Sequence, residues 1–164
     1  MPKLNQSGVF WLWLGMTIFL LDQLTKSLAQ YYLSEYTAYA VMPGFNFILS
    51  FNTGAAFSFL DSAAGWQGWF FGTIAVITSV ILLIWLRRLS RREYLLCIAL
   101  NFIIGGALGN LYDRIKYGYV IDFIQWYAGD FYWPVFNIAD SAICVGAALL
   151  VFSTFKKQDI RHSS

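Results

Sequence analysis

WQGWFFGTIAVITSVILLIWL, residues Trp66 to Leu86, contains no charge and stops at RRLSRR, residues Arg87 to Arg92. An α-helix needs about 20 consecutive apolar residues to cross the hydrocarbon core of a bilayer. Arginines clustered at one end hold that end on the cytoplasmic side. The stretch predicts a transmembrane helix over 66–86, and the rest of the chain has to be read in that light. Composition agrees: of 164 residues, 59% are hydrophobic and 12% charged, against roughly 25% charged in a typical soluble domain. A soluble fold of this size cannot hide so much apolar surface. The fold class is an α-helical integral membrane protein, a single membrane domain over 1–164.

Working outward from that helix, Tyr94 to Tyr112 is a second uncharged run, giving a helix over 94–114. A further one is predicted over 135–155. Upstream, Val9 to Leu21 leads into Asp22 and Lys26, giving a first helix over 9–28. A basic residue, a short apolar core and Ser27-Leu28-Ala29 imitate a cleavable signal peptide. Asp22 and Lys26 interrupt that core, so the segment is read as a retained span. Lys and Arg sort cleanly: Arg87, Arg88, Arg91, Arg92, Lys156, Lys157, Arg161 and Lys3 flank one side, while Ser27 to Gly65 has none. The expectation is a multi-pass membrane protein with both termini cytoplasmic, and segments 29–65 and 115–134 outside.

The outer segments carry their own pattern. In Phe45 to Asn52, Asn46, Ser50 and Asn52 alternate with Phe45, Phe47, Leu49 and Phe51, the period of a strand with one apolar face. Tyr117 to Tyr127 is rich in β-branched and aromatic residues and is expected to pair with it. Pro43-Gly44 marks a turn. Gly54, Ala55 and Ala56 form a small-residue segment, read either as a tight turn or as a place of close backbone approach.

Several classes are excluded. A net charge of +2 without a basic, aromatic-interleaved patch gives no reason to expect a nucleic-acid partner. His162 is the single histidine, which removes His-based triads and multi-histidine metal sites. Cys97 and Cys144 lack CxxC spacing and are read as buried apolar residues. No metal and no cofactor is expected.

Polar residues converge at one depth. Asp22 and Lys26 are i,i+4 and neutralise each other, either ending the helix at the interface or buttressing a site. Gly106, Asn110 and Arg114 lie at i, i+4, i+8, beside the small-xxx-small pair Gly105 and Gly109, so Asn110 and Arg114 point into the bundle. The alternative, a cap at the interface, stays open for Asp113 and is weaker for Arg114, which continues the glycine face. Asn137, Asp140, Ser141 and Cys144 share a face of the last helix. Together with Asn52 and Asp122, these residues fall near the outer boundary.

Asp122 on an outer segment and Asp140 at a helix end are two carboxylates in apolar surroundings. Brought close, they share one proton and titrate as a unit. Such a pair can activate water against an amide and protonate the leaving amine. Two other readings stay open: a structural ion pair of Asp140 with Arg114 or Lys26, and a small carrier or proton/cation relay using inward carboxylates. No inverted repeat or broken helix supports a carrier.

The fragments Asp22-Gln23-x-x-Lys26, Asn52-x-Gly54-Ala55-Ala56-Phe57-Ser58, Gly105-Gly106-Ala107-x-Gly109-Asn110-x-x-Asp113-Arg114, Val120-x-Asp122-Phe123 and Phe136-Asn137-x-Ala139-Asp140 occur in this order. Together they resemble the motif set of lipoprotein signal peptidase, or signal peptidase II, over about Asp22 to Asp140. The resemblance implies an aspartic endopeptidase of the bacterial cytoplasmic membrane. It would cleave prolipoproteins before the diacylglyceryl-modified lipobox cysteine, with membrane lipid around it and no metal. It implies inhibition by the cyclic peptide globomycin. It also implies four transmembrane helices with a small β-cradle and a short helix on the outer surface. The family's dyad maps onto Asp122 and Asp140, and its other polar positions onto Asp22, Lys26, Asn52, Asn110, Arg114 and Asn137. Gly54, Ala55, Gly106 and Ala139 lie within the same motifs and are expected to line or support the site.

Overall fold

The computed structural model describes residues 2–54 and 66–162. Four helices in it are long and apolar enough to cross a membrane. They are α1 (Leu12–Tyr32), α2 (Gln67–Arg88), α3 (Tyr94–Tyr117) and α4 (Ile138–His162). The described residues also form strands β1 (Ala38–Met42), β2 (Phe45–Asn52), β3 (Val120–Ala128) and β4 (Phe131–Tyr132). The short surface helix that the resemblance implies is not among the described residues of the outer segments.

Helix α3 is the axis of the bundle and packs against α1, α2 and α4. Lipid tails are as apolar as leucine, so helices in a membrane associate through close packing of small residues. Here a Cβ added at Gly105 would run into Gly15 O and Ile18 of α1. One at Gly106 would run into the Ala139 carbonyl and Ile143 of α4. Adjacent glycines thus admit two different helices, and α4 is brought against α3 at the residue that precedes Asp140.

At the arginine end the chain closes on itself. The segment before α1 forms two 3-10 turns, Leu4–Gln6 and Gly8–Trp11. Gly8 N–H donates to Leu89 O at 2.9 Å, Arg91 N–H to Gln6 O at 2.9 Å, and Arg87 Nη1 to Pro2 O at 2.7 Å. These bonds satisfy backbone groups that a helix end leaves unpaired. Leu86, Cys97 and Leu100 are fully buried beneath them.

The opposite end carries the sheet, in order β1-β2-β3-β4 with antiparallel neighbours. The expected pairing of the two outer segments is present, from Phe45↔Trp126 to Asn52↔Val120. The simple alternation needs correction. The register slips between Phe47 and Ser50, and the buried residues of β2 are Asn46, Leu49 and Asn52. Leu49 packs with Ala29 of α1 and with Ile121 and Phe123, while Asn46 and Asn52 are buried by partners across the strand. The polar face is the one that builds the site.

Helix boundaries also differ by a few residues, and two of the shifts have an evident cause. α1 runs on to Tyr32, because Lys26 is neutralised inside the bundle and no longer marks an interface. α4 begins at Ile138 rather than at 135, because the backbone of Phe136 is bonded to Phe123 and Ile124 of β3. Cys144, expected to be buried, is exposed on α4, whereas Cys97 is buried.

Candidate active site

Asp122 lies on β3 at the level where β2, α3 and α4 meet. Gly118, at φ +82°, ends α3 in the left-handed region that glycine adopts freely. The chain then enters β3 at Val120, which leaves Asp122 across from the end of β2. Its Oδ2 accepts from Asn52 Nδ2 at 3.0 Å and its Oδ1 from Asn137 Nδ2 at 2.7 Å. Only 2% of the residue is exposed. Burial pushes its carboxyl up to about 7, and the charge of Asp140 adds to the rise.

Asp140 is set by a local rule. Asn137 immediately precedes α4, its Oδ1 accepts from Asp140 N–H at 2.8 Å, and Asp140 Oδ2 accepts from Asn137 N–H at 3.3 Å. This reciprocal pair is a capping box, with aspartate where glutamate is usual. The same Asn137 whose backbone and carbonyl oxygen cap the helix points its Nδ2 at Asp122. One residue therefore holds both carboxylates.

Asn110 reaches Asp140 from the other side, Nδ2 to Oδ1 at 2.8 Å. Its orientation is fixed by chemistry, because its Oδ1 accepts from Lys26 Nζ at 2.9 Å and from Asn137 Nδ2 at 3.1 Å. Lys26 Nζ also lies 2.8 Å from Asp22 Oδ2 and 2.8 Å from Asp113 Oδ2. An ammonium has three hydrogens, and these three acceptors use them all. Lys26, 1% exposed, holds Asn110 and keeps no donor for anything else.

Two carboxylates share the one lysine, and further donors converge on them. Asp22 Oδ1 accepts from Ala139 N–H at 2.9 Å, a donor in the first turn of α4 that the helix itself leaves unpaired. Asp113 accepts from Gln23 Nε2 at 2.9 Å and from Ile121 N–H at 3.2 Å. Asp113 is fully buried, which excludes the interfacial cap left open for it. Sequence reasoning assigns neither Asp113 nor Gln23 to the site, although Asp113 stands four residues after Gly109 on the packed face of α3. Asp22 and Lys26 likewise lie inside the bundle rather than at its edge. A Cβ at Gly109 would press on the Asp22 carboxylate, so this glycine makes room for the pair.

Arg114 lies beside this cluster and is bonded to backbone carbonyls rather than paired with Asp140. Its Nη2 donates to Gly54 O at 3.0 Å and its Nη1 to Asn110 O at 3.3 Å, with the guanidinium over the Phe71 ring. Its buried Nε has no partner among the described residues. Gly54 N–H in turn donates to Asn52 Oδ1 at 2.9 Å. Ala55 and Ala56 lie outside the described residues. The structure thus brings together Asp22, Lys26, Asn52, Gly54, Gly106, Asn110, Arg114, Asp122, Asn137, Ala139 and Asp140. Among the described residues no His/Cys/Asp/Glu group has the makings of a metal site.

Residues 14–156 match the family signal peptidase (SPase) II. The chain belongs to the signal peptidase II family. It is 50% identical over 155 residues to a lipoprotein signal peptidase of Alteromonas mediterranea, covering 94% of this chain and 85% of that one. It is 48% identical over 162 residues to a lipoprotein signal peptidase of Pseudomonas aeruginosa, covering 96% and 95%. A bacterial membrane enzyme solved by the in meso method at 2.3 Å resolution superposes with a TM-score of 0.81 at 27% identity, covering 91% of this chain and 89% of that one. For a signal peptidase II chain, the depth of the polar cluster matters, because all of it sits at the sheet end of the bundle.

Proposed function

We propose that this signal peptidase II chain removes the signal peptide of bacterial prolipoproteins, cutting before the diacylglyceryl-modified cysteine with Asp122 and Asp140 as an aspartic dyad. The observation that carries the reading is Asn137, bonded to both carboxylates and holding them at the mouth of α4. In the pair, one carboxyl keeps a proton and the other is ionised. The ionised member takes a proton from water as the water oxygen attacks the scissile carbonyl carbon. The protonated member then gives its proton to the amide nitrogen as the C–N bond breaks, leaving a new carboxyl and a free amine. No metal enters this route.

The remaining groups bind or hold. Arg114 Nε is a donor ready for a substrate carbonyl near the dyad. Asp22, Lys26 and Asn110 keep Asp140 in place, and Asn52 does so for Asp122. The orientation that fits is the dyad at the outer face, with both termini and the arginine end cytoplasmic, in accord with the Lys/Arg asymmetry.

The test is incubation of the purified protein in lipid with a diacylglyceryl-modified prolipoprotein, with and without globomycin. Cleavage before the modified cysteine, abolished by globomycin and by Asp122→Asn or Asp140→Asn, is the expected result. Cleavage retained in either variant overturns the dyad, and ion flux in proteoliposomes without cleavage revives the carrier.

A further inference from the structure

Two grooves approach the cluster from different sides, and they differ in kind. One, about 690 Å³, lies between α2 and α3, is floored by Gly68, Gly72 and Thr73, and reaches Arg114. Small residues one turn apart are what a packed helix needs. The other, about 470 Å³, runs from Asp140 down α4 past Cys144 and Val145 and is walled by Trp126, Trp133 and Phe136.

We propose that the second groove seats an acyl chain of the substrate's diacylglyceryl group, the juxtaposition being a polar end at Asp140 and an apolar channel leading from it into the membrane span. The inference rests on the prolipoprotein reading above. Continuity with the dyad is the first argument, since Asp140 itself lines the groove. Depth is the second: Ile138–Phe155 is a membrane span, and Val145 lies roughly 8 Å along the helix from Asp140 at 1.5 Å per residue. An occupant must therefore begin beside the polar cluster and continue among lipid tails.

The lining selects a chain over a peptide. The Ser141 hydroxyl at the polar end already donates to Asn137 O at 2.9 Å. An extended peptide laid there at membrane depth would leave its own N–H and C=O groups unpaired. A helix would meet the walls, where Trp126 and Phe136 stand edge to face at 5.8 Å, instead of the small residues it needs. An acyl chain has no polar group to satisfy and bends to an irregular channel. Tryptophans at the mouth suit the level where headgroup gives way to chain. Seating the lipid of the modified cysteine here fixes the residue just after the scissile bond relative to Asp140.

The test uses the full chain carrying Asp122→Asn in phosphatidylcholine nanodiscs, with a prolipoprotein whose palmitoyl chain bears a terminal diazirine. After photolysis, adducts are mapped by mass spectrometry. Adducts on Trp133, Cys144 and Val145 are expected to exceed those on Gly68 to Val76 by about five-fold, and phosphatidylcholine bearing the same diazirine chain shows no such excess. Even labelling around the bundle, labelling of the α2–α3 groove, or equal enrichment by the phospholipid overturns the proposal. In the otherwise unchanged enzyme, Val145→Trp is expected to raise KM for the dipalmitoyl substrate about five-fold with little change in kcat, and to leave a dibutyryl substrate unaffected. An unchanged KM overturns it as well. If the unsubstituted chain leaves prolipoprotein uncut while the enrichment persists, the reaction falls and the acyl seat stands. Cleavage without enrichment does the reverse.

Discussion

Asn137 donates from Nδ2 to Asp122 Oδ1 over 2.7 Å while its main-chain N–H and Oδ1 are engaged by Asp140. A helix cap and the contact to the second carboxylate are thus the same residue. Since Asn137 is fixed by the cap, Asp122 is fixed relative to the helix that carries Asp140. The pair is preorganised through one shared residue, with Asn52 and Asn110 each holding one of the two carboxylates.

Replacing Asn137 by Ala tests this directly. The helix loses a cap, which costs about 1 kcal/mol. Asp122 loses a donor that favours its ionised form, so its carboxyl moves further above about 7. With the proposed dyad, the high-pH limb of kcat/KM reports loss of the proton the pair shares, and it is expected to move to higher pH with a lower maximum. A pH–rate profile checks the sign. A limb that stays put or moves down would show that Asn137 does not act on Asp122.

Asp140→Asn separates the two causes that raise Asp122. Desolvation is the larger and survives the substitution; the charge of Asp140 is removed. The Asp122 carboxyl, followed by its infrared C=O stretch, is expected to titrate below about 7 yet above the ordinary 3.8. Its protonated form is favoured by burial, so the band persists at pH values where an exposed aspartate is already ionised. A midpoint at the ordinary value would remove burial as the cause. One unmoved from about 7 would remove the coupling.

Much of this is legible in the sequence, and for identifiable reasons. Uncharged runs ended by arginines announce membrane helices, because a charge in lipid is costly. Gly106, Asn110 and Arg114 at helical spacing mark the inward face of α3. What is not legible comes from tertiary partners. Asp113 reads as an ordinary helix-end charge until α1 places Lys26 and Gln23 against it. The start of α4 escapes an apolar-run reading because the backbone of Phe136 bridges to β3, although Asn137-x-x-Asp140 carries the signal of a capping box. The slip in β2 depends on register across a strand pair, which no single strand encodes.

Adjacent glycines on α3 give a paired comparison. Gly105→Ala presses on α1 and Gly106→Ala on α4, at the Ala139 carbonyl. Each overpacking is expected to cost ~1–3 kcal/mol, seen as a lower Tm in detergent. Activity is expected to fall more for Gly106→Ala at equal stability loss, because α4 carries Asp140. Equal losses of activity would mean that the position of α4 is not what limits cleavage.

Lys26 separates holding from chemistry. Lys26→Met leaves Asp22 and Asp113 buried without their cation, a loss of about 3–5 kcal/mol for a broken buried pair. Adding Asp22→Asn and Asp113→Asn removes the stranded charges, and the triple variant is expected to recover most of the lost Tm, since an apolar or neutral set often replaces a buried ion cluster without penalty. Cleavage is expected to stay slow in that recovered protein. Asn110 Oδ1 has lost the ammonium 2.9 Å away and keeps the weaker donor Asn137 Nδ2 at 3.1 Å, so its Nδ2 is aimed less firmly at Asp140. Loss through misorientation appears as a fall in kcat with substrate affinity kept. Full cleavage by the stable triple variant would show that Lys26 serves the fold alone. Slow cleavage at restored stability assigns it the orientation of Asn110, and through Asn110 the placement of Asp140.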